Sequence, residues 1–272
     1  MGSEYKIKPG QPFAIKDHDP EDSSWWQEDK SAAKNELKNL RGKLIKLQQL
    51  LYAENKHKLL IILQAMDAGG KDGTIRSIFK GVNPQGVKVA SFKAPTPVEL
   101  AHDYLWRVHT RTPQTGEIVI FNRSHYEDVL IVRVKELAPK KTWEKRYKHI
   151  IGFEKLLADE GTTILKFFLN ISKDEQKMRF MDRIEKKEKQ WKFNPGDIEE
   201  RKYWEDYMAA FEDAINQTST GFAPWYVIPA NRNWYRDLVI ARILVDCLEN
   251  LKMRYPPPIE DIESFKGILE RS

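Results

Sequence analysis

The chain has 272 residues, of which 41% are hydrophobic and 31% are charged, and its formal net charge is +5. These values allow a core beneath a heavily charged surface and favour one α/β domain with additions over two complete domains, and a single cysteine excludes a disulfide framework. A basic balance favours polyanionic partners such as nucleic acid, an anionic membrane or polyphosphate, although simple solubility accounts for it equally well.

The expected location is the cytoplasm. No apolar run reaches transmembrane length, the first six residues contain no signal-peptide core, and the near absence of cysteine fits a reducing compartment. Cys247 lies in the apolar stretch 244–251, which favours a small core residue over a nucleophile. We therefore expect no membrane partner.

The N-terminal region divides into an arm and a helix. Residues 1–30 are polar and contain three prolines, which predicts an irregular arm. Over residues 31–55, leucines recur at steps of three and four and so define one helical face: Leu37, Leu40, Leu44, Leu47 and Leu51. This face either packs on the core of its own chain or contacts a second subunit, and we expect a homo-oligomer, a dimer or a tetramer.

Short apolar strands then alternate with helices, which predicts an α/β fold with a parallel sheet covered on both faces. The predicted strands are 59–63, 87–92, 118–121, 163–169 and 225–229, and the predicted helices are 74–82, 97–109, 143–159 and 233–251. A charged helical insertion, 173–218, is well placed to form a lid. We expect one domain over 1–272, with arm and first helix at 1–55, core at 56–172 and 219–254, and lid at 173–218.

A glycine-rich turn, AMDAGGKDGT at 65–74, follows the first strand and opens a helix, which is the context of a phosphate-binding P-loop. Its glycines let the backbone approach phosphate oxygens, and its lysine adds a mobile cation. The candidate phosphate-binding residues of this turn are Gly69, Gly70, Lys71, Asp72, Gly73 and Thr74.

The turn departs from the usual P-loop pattern at two positions. Ala65 takes the place of the first glycine, and Asp72 takes the place of the hydroxyl residue that normally binds Mg²⁺. Asp67, inside the loop, offers a carboxylate instead, which is a suitable ligand for Mg²⁺.

A second cluster, FNRSHYED at 121–128, follows the third strand. Ligands of open α/β sheets bind beyond the carboxyl ends of strands, so this segment is expected beside the P-loop. Arg123 is a candidate phosphate ligand, and Glu127 and Asp128 are candidate metal ligands. The alternative is a solvated helix start with acidic residues near its positive end. His125 as a phosphohistidine or general base is the less favoured interpretation.

The insertion begins with a capping box at 172–175. Arg179 and Arg183 lie four positions apart, share one helical face and are predicted to clamp phosphate. Further basic residues between the P-loop and the third strand are candidates for binding a polyanionic donor: Lys80, Lys88, Lys93, Arg107 and Arg111.

Six ordered motifs make the chain resemble the second polyphosphate kinase family over nearly its whole length, from about 5 to 258. They are MDAGGKDG at 66–73, SFKAPT at 91–96, DYLWR at 103–107, FNRSHYEDVL at 121–130, WKF at 191–193 and NWY at 233–235. The resemblance implies a thymidylate-kinase-like P-loop fold, a three-layer sandwich with a helical lid. It also implies reversible, Mg²⁺-dependent phosphoryl transfer between polyphosphate and nucleotides, with Mn²⁺ as an alternative ion.

The resemblance also implies site roles, residue by residue: phosphate and metal roles for Asp67 and Lys71, a phosphate role for Arg123, and lid roles for Arg179 and Arg183. Many members have Asp where this chain has Asn122, and Asn where it has Glu127. This form resembles the subgroup that converts AMP to ADP and ADP to ATP. AMP and ADP are thus the expected acceptors, with GMP and GDP as further candidates.

Two other functions fit parts of the pattern. A nucleotide kinase that uses ATP as donor shares the P-loop and the lid but has no need of the extra basic residues before the third strand. A polyanion-binding or nucleic-acid-binding module uses a basic groove with aromatic stacking positions. Here the basic residues follow a P-loop instead of alternating with aromatics, so no nucleic-acid partner is expected.

Overall fold

The computed structural model describes residues 3–272. Five strands form one parallel sheet in the order β2-β3-β1-β4-β5. Their bounds are Lys58–Gln64 (β1), Val87–Ser91 (β2), Ile118–Asn122 (β3), Thr162–Asn170 (β4) and Trp225–Pro229 (β5). β1 pairs with β3 and β4, and its residues from Leu59 to Gln64 are all buried. β1, β3, β4 and β5 are largely buried and form apolar runs, as expected for strands covered on both faces. β2 lies at the edge of the sheet and is partly exposed along its whole length.

Helices of very different length surround the sheet. The longer ones are α1 (Lys30–Glu54), α2 (Lys71–Ile78), α6 (Lys140–Asp159), α7 (Lys173–Glu185), α10 (Trp204–Thr218), α11 (Asn233–Asn250) and α12 (Ile262–Leu269). The shorter ones are α3 (Pro97–Leu100), α4 (Trp106–His109), α5 (Ile131–Val134), α8 (Lys187–Gln190) and α9 (Pro195–Glu200). α1 and α2 pack on α11, while α5 and α6 pack on α10. This confirms the predicted α/β fold with a parallel sheet and flanking helices.

The leucine face of α1 packs inside its own chain. Leu37, Leu40, Leu44 and Leu51 belong to the buried core, and α1 packs along α11. The stripe is therefore accounted for without a second subunit. Assembly as a dimer or tetramer stays a prediction.

The predicted helix 97–109 was wrong in its continuity, because the structure has two short helices there. α3 ends at Leu100 and α4 begins at Trp106. Between them the Asp103 carboxylate accepts a hydrogen bond of 2.9 Å from the Leu105 backbone N–H. Aspartate that bonds to nearby backbone in this way competes with helix formation.

The predicted lid, 173–218, is exposed in its first part and buried in its last helix. Its last helix, α10, buries Trp204, Phe211 and Ile215 in the core and packs on α6. Residues 173–203 carry the more exposed helices α7 to α9. The amphipathic pattern of α10 is that of an ordinary core helix, so in this structure the insertion projects from the core only through its first part.

The N-terminal arm is irregular, as predicted, but it is docked on the core. Tyr5, Ile7 and Phe13 are buried, and the Ile7 N–H donates to the Trp225 carbonyl at 2.9 Å. Cys247 packs against the core as expected, where burial raises the pKa of its thiol to about 11. Within residues 3–272, none of the helices combines the length and the apolarity that a bilayer crossing requires.

A network of buried polar groups lies beneath the 121–128 segment. The Lys166 ammonium donates to Glu154 Oε2 at 2.6 Å and to Tyr126 Oη at 2.9 Å. The Tyr126 hydroxyl donates in turn to Glu154 Oε1 at 2.8 Å. Lys166, Glu154 and Tyr126 are fully buried. Such an ion pair is tolerated in a core because both charges are paired and hydrogen-bonded.

Removing one charge of this pair is expected to be costly. Lys166→Met leaves the Glu154 carboxylate buried without its cation and should lower the free energy of unfolding by about 3–5 kcal/mol. The double variant Lys166→Met/Glu154→Leu should cost less than Lys166→Met alone, since no unpaired charge remains. Denaturant unfolding measures both, with Lys155→Met in the exposed Lys155–Asp159 pair as the control. Equal losses in the single and double variants would contradict this account.

Candidate active site

The candidate site lies where two neighbouring strands end. The P-loop follows β1 and the 121–128 segment follows β3, and these strands pair directly. At the junction the Arg123 N–H donates to the Leu63 carbonyl at 3.1 Å. Arg123 has φ 62°, and its guanidinium donates to Asp67 Oδ1 at 2.5 Å. Sheet pairing thus brings the two sequence motifs into contact.

The P-loop contains two residues in the left-handed region, Ala68 with φ 59° and Gly70 with φ 100°. The Gly69 N–H donates to the Met66 carbonyl at 2.9 Å. A Cβ on Gly69 would lie 2.4 Å from the Cβ of Ala65. The methyl group at the unusual Ala65 is therefore accommodated because residue 69 has none.

The Lys71 side chain folds across the loop, and its ammonium donates to the Ala65 carbonyl at 2.9 Å. Burial, together with the nearby Arg123 cation, lowers the pKa of Lys71 to about 8. The carboxylates of Asp67 and Glu127 act in the opposite direction. A lysine held in this way is a cation already placed at the P-loop.

Asp72 and Asn122, two residues that differ from the usual motifs, are in contact with each other. The Asn122 side-chain amide donates to Asp72 Oδ1 at 2.6 Å. A carboxylate at residue 122 would place like charges at this distance and would be repelled. The neutral Asn122 and the acidic Asp72 are thus compatible as a pair, a relation that the linear sequence does not reveal.

The acidic residues after β3 separate in space. Glu127 and Asp67 line the same small pocket of 220 Å³, where burial raises the pKa of Glu127 although Arg123 and Lys71 oppose the shift. Asp128 instead accepts from Arg146 at 2.8 Å, and burial raises its pKa to about 6. The structure therefore does not bring Asp128 to the other two predicted metal ligands.

His125 is buried beneath the site, with Nε2 3.4 Å from Glu154 Oε1. Burial lowers its pKa, so it is a neutral member of the core network. His125 is not among the lining residues of the cleft, which argues against the less favoured interpretation of it as a phosphohistidine or base.

A cleft of 1510 Å³ extends from the P-loop to the helices of the insertion, and Lys and Arg outnumber Asp and Glu among its lining residues. Most of the predicted site residues line it: Asp67, Gly69, Gly70, Lys71, Asp72, Gly73, Lys93, Arg123, Arg179 and Arg183. Of the extra basic residues, Lys80 also lines it, whereas Lys88 pairs with Glu117.

Three predicted phosphate ligands are not among the lining residues of this cleft. Thr74 is buried and its hydroxyl donates to the Gly70 carbonyl at 3.1 Å. Arg107 donates to the Lys93 carbonyl at 2.8 Å. Arg111 is exposed and lies outside the lining of the cleft. Of these, Thr74 and Arg107 support residues that do line it.

The two arginines of α7 are held by protein groups. Arg179 donates to the Ala68 carbonyl at 3.0 Å and to Glu175 Oε1 at 2.7 Å, and burial lowers its pKa. Arg183 pairs with Asp197 at 3.1 Å, which joins α7 to α9. Both face the cleft, and Arg179 also links α7 directly to the P-loop.

Sequence reasoning missed several lining residues. They are Arg76, Lys189, Lys192, Arg236 and Asp237, to which the exposed Trp191 of the WKF motif is added. Lys189 and Lys192 lie in a charge run that is usually a solvated face. Arg236 follows the NWY motif immediately, and this adjacency is the signal in the sequence that points to it.

The fold and the cleft define a P-loop α/β protein with a cationic cleft at its P-loop. Residues 27–256 match the family described as Polyphosphate kinase 2 (PPK2). The chain therefore belongs to the polyphosphate kinase 2 family, as its six motifs indicated.

Two relatives and one solved structure illustrate the similarity. The chain is 60% identical to the AMP/ADP-polyphosphate phosphotransferase of Meiothermus ruber over 98% of its own length and 99% of that protein. It is 49% identical to the ADP-polyphosphate phosphotransferase of Rhodopseudomonas palustris over 79% of its length and 78% of that protein. The crystal structure of Polyphosphate Kinase 2 from Arthrobacter aurescens TC1 matches with TM-score 0.96 and 40% identity, covering 100% of this chain and 97% of that one.

The environment of Lys71 predicts an unusual titration. Half of the Lys71 side chains should be deprotonated near pH 8, which is below the ordinary lysine value of about 10.4. Below pH 8 Lys71 is a cation, and a bound polyanion should raise its pKa because the charged form is then favoured. The pH dependence of acylation at Lys71, followed by mass spectrometry with and without the polyanion, measures both midpoints. A midpoint near the ordinary lysine value in the ligand-free protein would contradict the assigned environment of Lys71.

Proposed function

We propose that this protein transfers a phosphoryl group from inorganic polyphosphate to AMP and to ADP. The observation that carries the proposal is the long cationic cleft that begins at the P-loop. A polyphosphate chain has a negative charge on every unit and no base or sugar, so it is matched by a series of Lys and Arg along a groove. The names of the relatives, which specify AMP/ADP and ADP as acceptors, support the same reaction.

In the proposed reaction, positioning and charge do most of the work. Lys71 and the loop N–H groups hold the phosphates of the donor, and Arg123 offsets the charge that develops on the transferring group. The Asp67 carboxylate, 2.5 Å from Arg123, orients that guanidinium at the boundary between the cleft and the smaller pocket. The acceptor phosphate is expected to approach this boundary.

We assign the helices α7 to α9 to a lid over the cleft. Arg179 and Arg183 lie on its inner face, and arginines in such positions act as charge accumulates on the transferring phosphate. Lys189 and Lys192 extend the cationic lining along the same segment. A closed lid would also exclude water, which otherwise competes as the acceptor.

The reaction is expected to require Mg²⁺, for which Mn²⁺ is an alternative. Among residues 3–272 no three Asp, Glu, His or Cys side chains form a ready metal cluster. Mg²⁺ at phosphate sites commonly uses only one or two carboxylates, with phosphate oxygens and water as its other ligands. Asp67 and Glu127, on one pocket, fit that donor set. A bound ion there would neutralise phosphate charge during transfer.

A direct assay tests the proposed function. ADP should form from AMP and polyphosphate without ATP, and ATP should form from ADP and polyphosphate. Lys71→Ala and Asp67→Ala should each lower turnover on the order of 100-fold or more, the usual cost of losing a preorganised charge. Lys155→Ala and Asp159→Ala, in an exposed ion pair, are the matched controls. Transfer to AMP from ATP but not from polyphosphate would overturn the proposal in favour of an ordinary nucleotide kinase.

Glu127 is expected to influence the choice between AMP and ADP as acceptor. A diphosphate brings more negative charge to the reacting point than a monophosphate, so the site must supply more cation to offset it. If Glu127 helps to hold Mg²⁺ there, Glu127→Asn should change the ratio of AMP to ADP phosphorylation and raise the Mg²⁺ requirement.

A Mg²⁺ titration with each acceptor measures both effects. Glu144→Asn, in an exposed pair with Lys140, controls for the loss of a carboxylate elsewhere. If Glu127 only supports the turn at His125–Asp128, both activities should fall together or remain. A constant AMP-to-ADP ratio at every Mg²⁺ concentration would remove Glu127 from the choice of acceptor.

A further inference from the structure

Arg236 is a buried cation at the phosphate loop for which the proposed reaction has not yet required a role. It lies in the first turn of α11 and is only 2% exposed, although it contributes to the lining of the cleft. Its Nε and Nη2 donate to Asp237 Oδ1 at 2.8 and 2.6 Å, and its Nη1 donates to Asn233 Oδ1 at 2.7 Å. With all three nitrogens anchored, the guanidinium has a fixed position.

That position is beside the turn of the P-loop. A Cβ on Gly70 would lie 2.2 Å from Arg236 Nη1 and 3.3 Å from Arg179 Nη1. Two guanidinium groups, one from α7 and one from α11, therefore occupy the space that a side chain at Gly70 would need. Gly70 has a left-handed φ of 100°, which glycine adopts without strain. The two guanidinium groups pack against the outside of this turn.

Asn233 connects the two arginines. Its Oδ1 accepts from Arg236 Nη1 at 2.7 Å and from Arg179 Nη2 at 3.3 Å. Arg179 also reaches the P-loop through the Ala68 carbonyl. One amide oxygen therefore joins a core helix to a helix of the insertion, at the place where both contact the loop.

We propose that Arg236 is a positioning residue, which fixes the Gly70 turn of the P-loop and, through Asn233, the guanidinium of Arg179. The physical reason is geometric. Loop N–H groups and a lid arginine are effective only when they point at the same phosphate, and a displacement of about 1 Å at such a site can cost on the order of 100-fold in rate. Arg236 is a planar, fully charged group whose fork holds several partners at once, which a lysine does not reproduce.

The first test compares two arginines of the same helix. Arg236→Met should lower kcat by about 10-fold to 100-fold per folded molecule and change the KM for polyphosphate little, since it acts through the loop. Arg236→Lys should not restore kcat, because it returns the charge without the planar fork. Arg242→Met, which breaks an ion pair with Glu36 away from the cleft, should keep wild-type kcat. An unchanged kcat in Arg236→Met, or a raised KM with normal kcat, would overturn the proposal.

The second test asks whether Arg236 and Arg179 act as one unit. The double variant Arg236→Met/Arg179→Met should lose little more activity than the worse single variant, because the two residues share Asn233 and the same turn. Losses that multiply would mean independent roles and would contradict the proposed link.

These kinetic tests rest on the proposed function, so a third measurement is independent of catalysis. In the ligand-free protein, Arg236→Met should accelerate amide hydrogen exchange over residues 66–73, because the turn has lost its outer support. Arg242→Met should leave that segment unchanged. If wild type uses no polyphosphate, the proposed function fails while this readout still decides the inference. Wild-type exchange at 66–73 in Arg236→Met would overturn it.

Discussion

The hydrogen-bonded pairing of β1 with β3 is the constraint on which the site depends. Parallel pairing places the carboxyl ends of both strands at one edge of the sheet, so the P-loop and the 121–128 segment emerge side by side. The Asp67–Arg123 pair closes that junction at 2.5 Å. The P-loop backbone, cations and carboxylates then line one cleft, which residues of the insertion also line.

The core beneath this junction is more polar than a stable core requires. Lys166, Glu154, Tyr126 and His125 form a buried network under the segment that carries Arg123 and Glu127. Buried charges are often no more stabilising than apolar residues of the same size, but they accept very few geometries. His125 and Tyr126 belong both to this network and to the turn that ends at Asp128, so the same side chains take part in the core and in the segment above it.

The departures from the usual P-loop pattern are consistent with one another. Ala65 has a methyl group where glycine is usual, and Gly69 leaves room for it; Asp72 is acidic where a hydroxyl is usual, and Asn122 is neutral beside it. In each pair the second residue removes the clash or repulsion that the first would cause. An unusual P-loop is thus preserved by contacts between residues that are four or fifty positions apart.

The sequence by itself determined the strands, the P-loop and the family, because buried parallel strands are continuous apolar runs and the six motifs are local. It also predicted that Asp67, Lys71, Arg123 and the two arginines of α7 would share one site. Only the tertiary structure decided which neighbours each side chain meets. In the folded chain Asp128 pairs with Arg146, α10 packs in the core, and the Arg236 guanidinium lies beside Gly70. These outcomes depend on contacts between distant segments, whose distances and burial are set by packing and have no signal in local spacing.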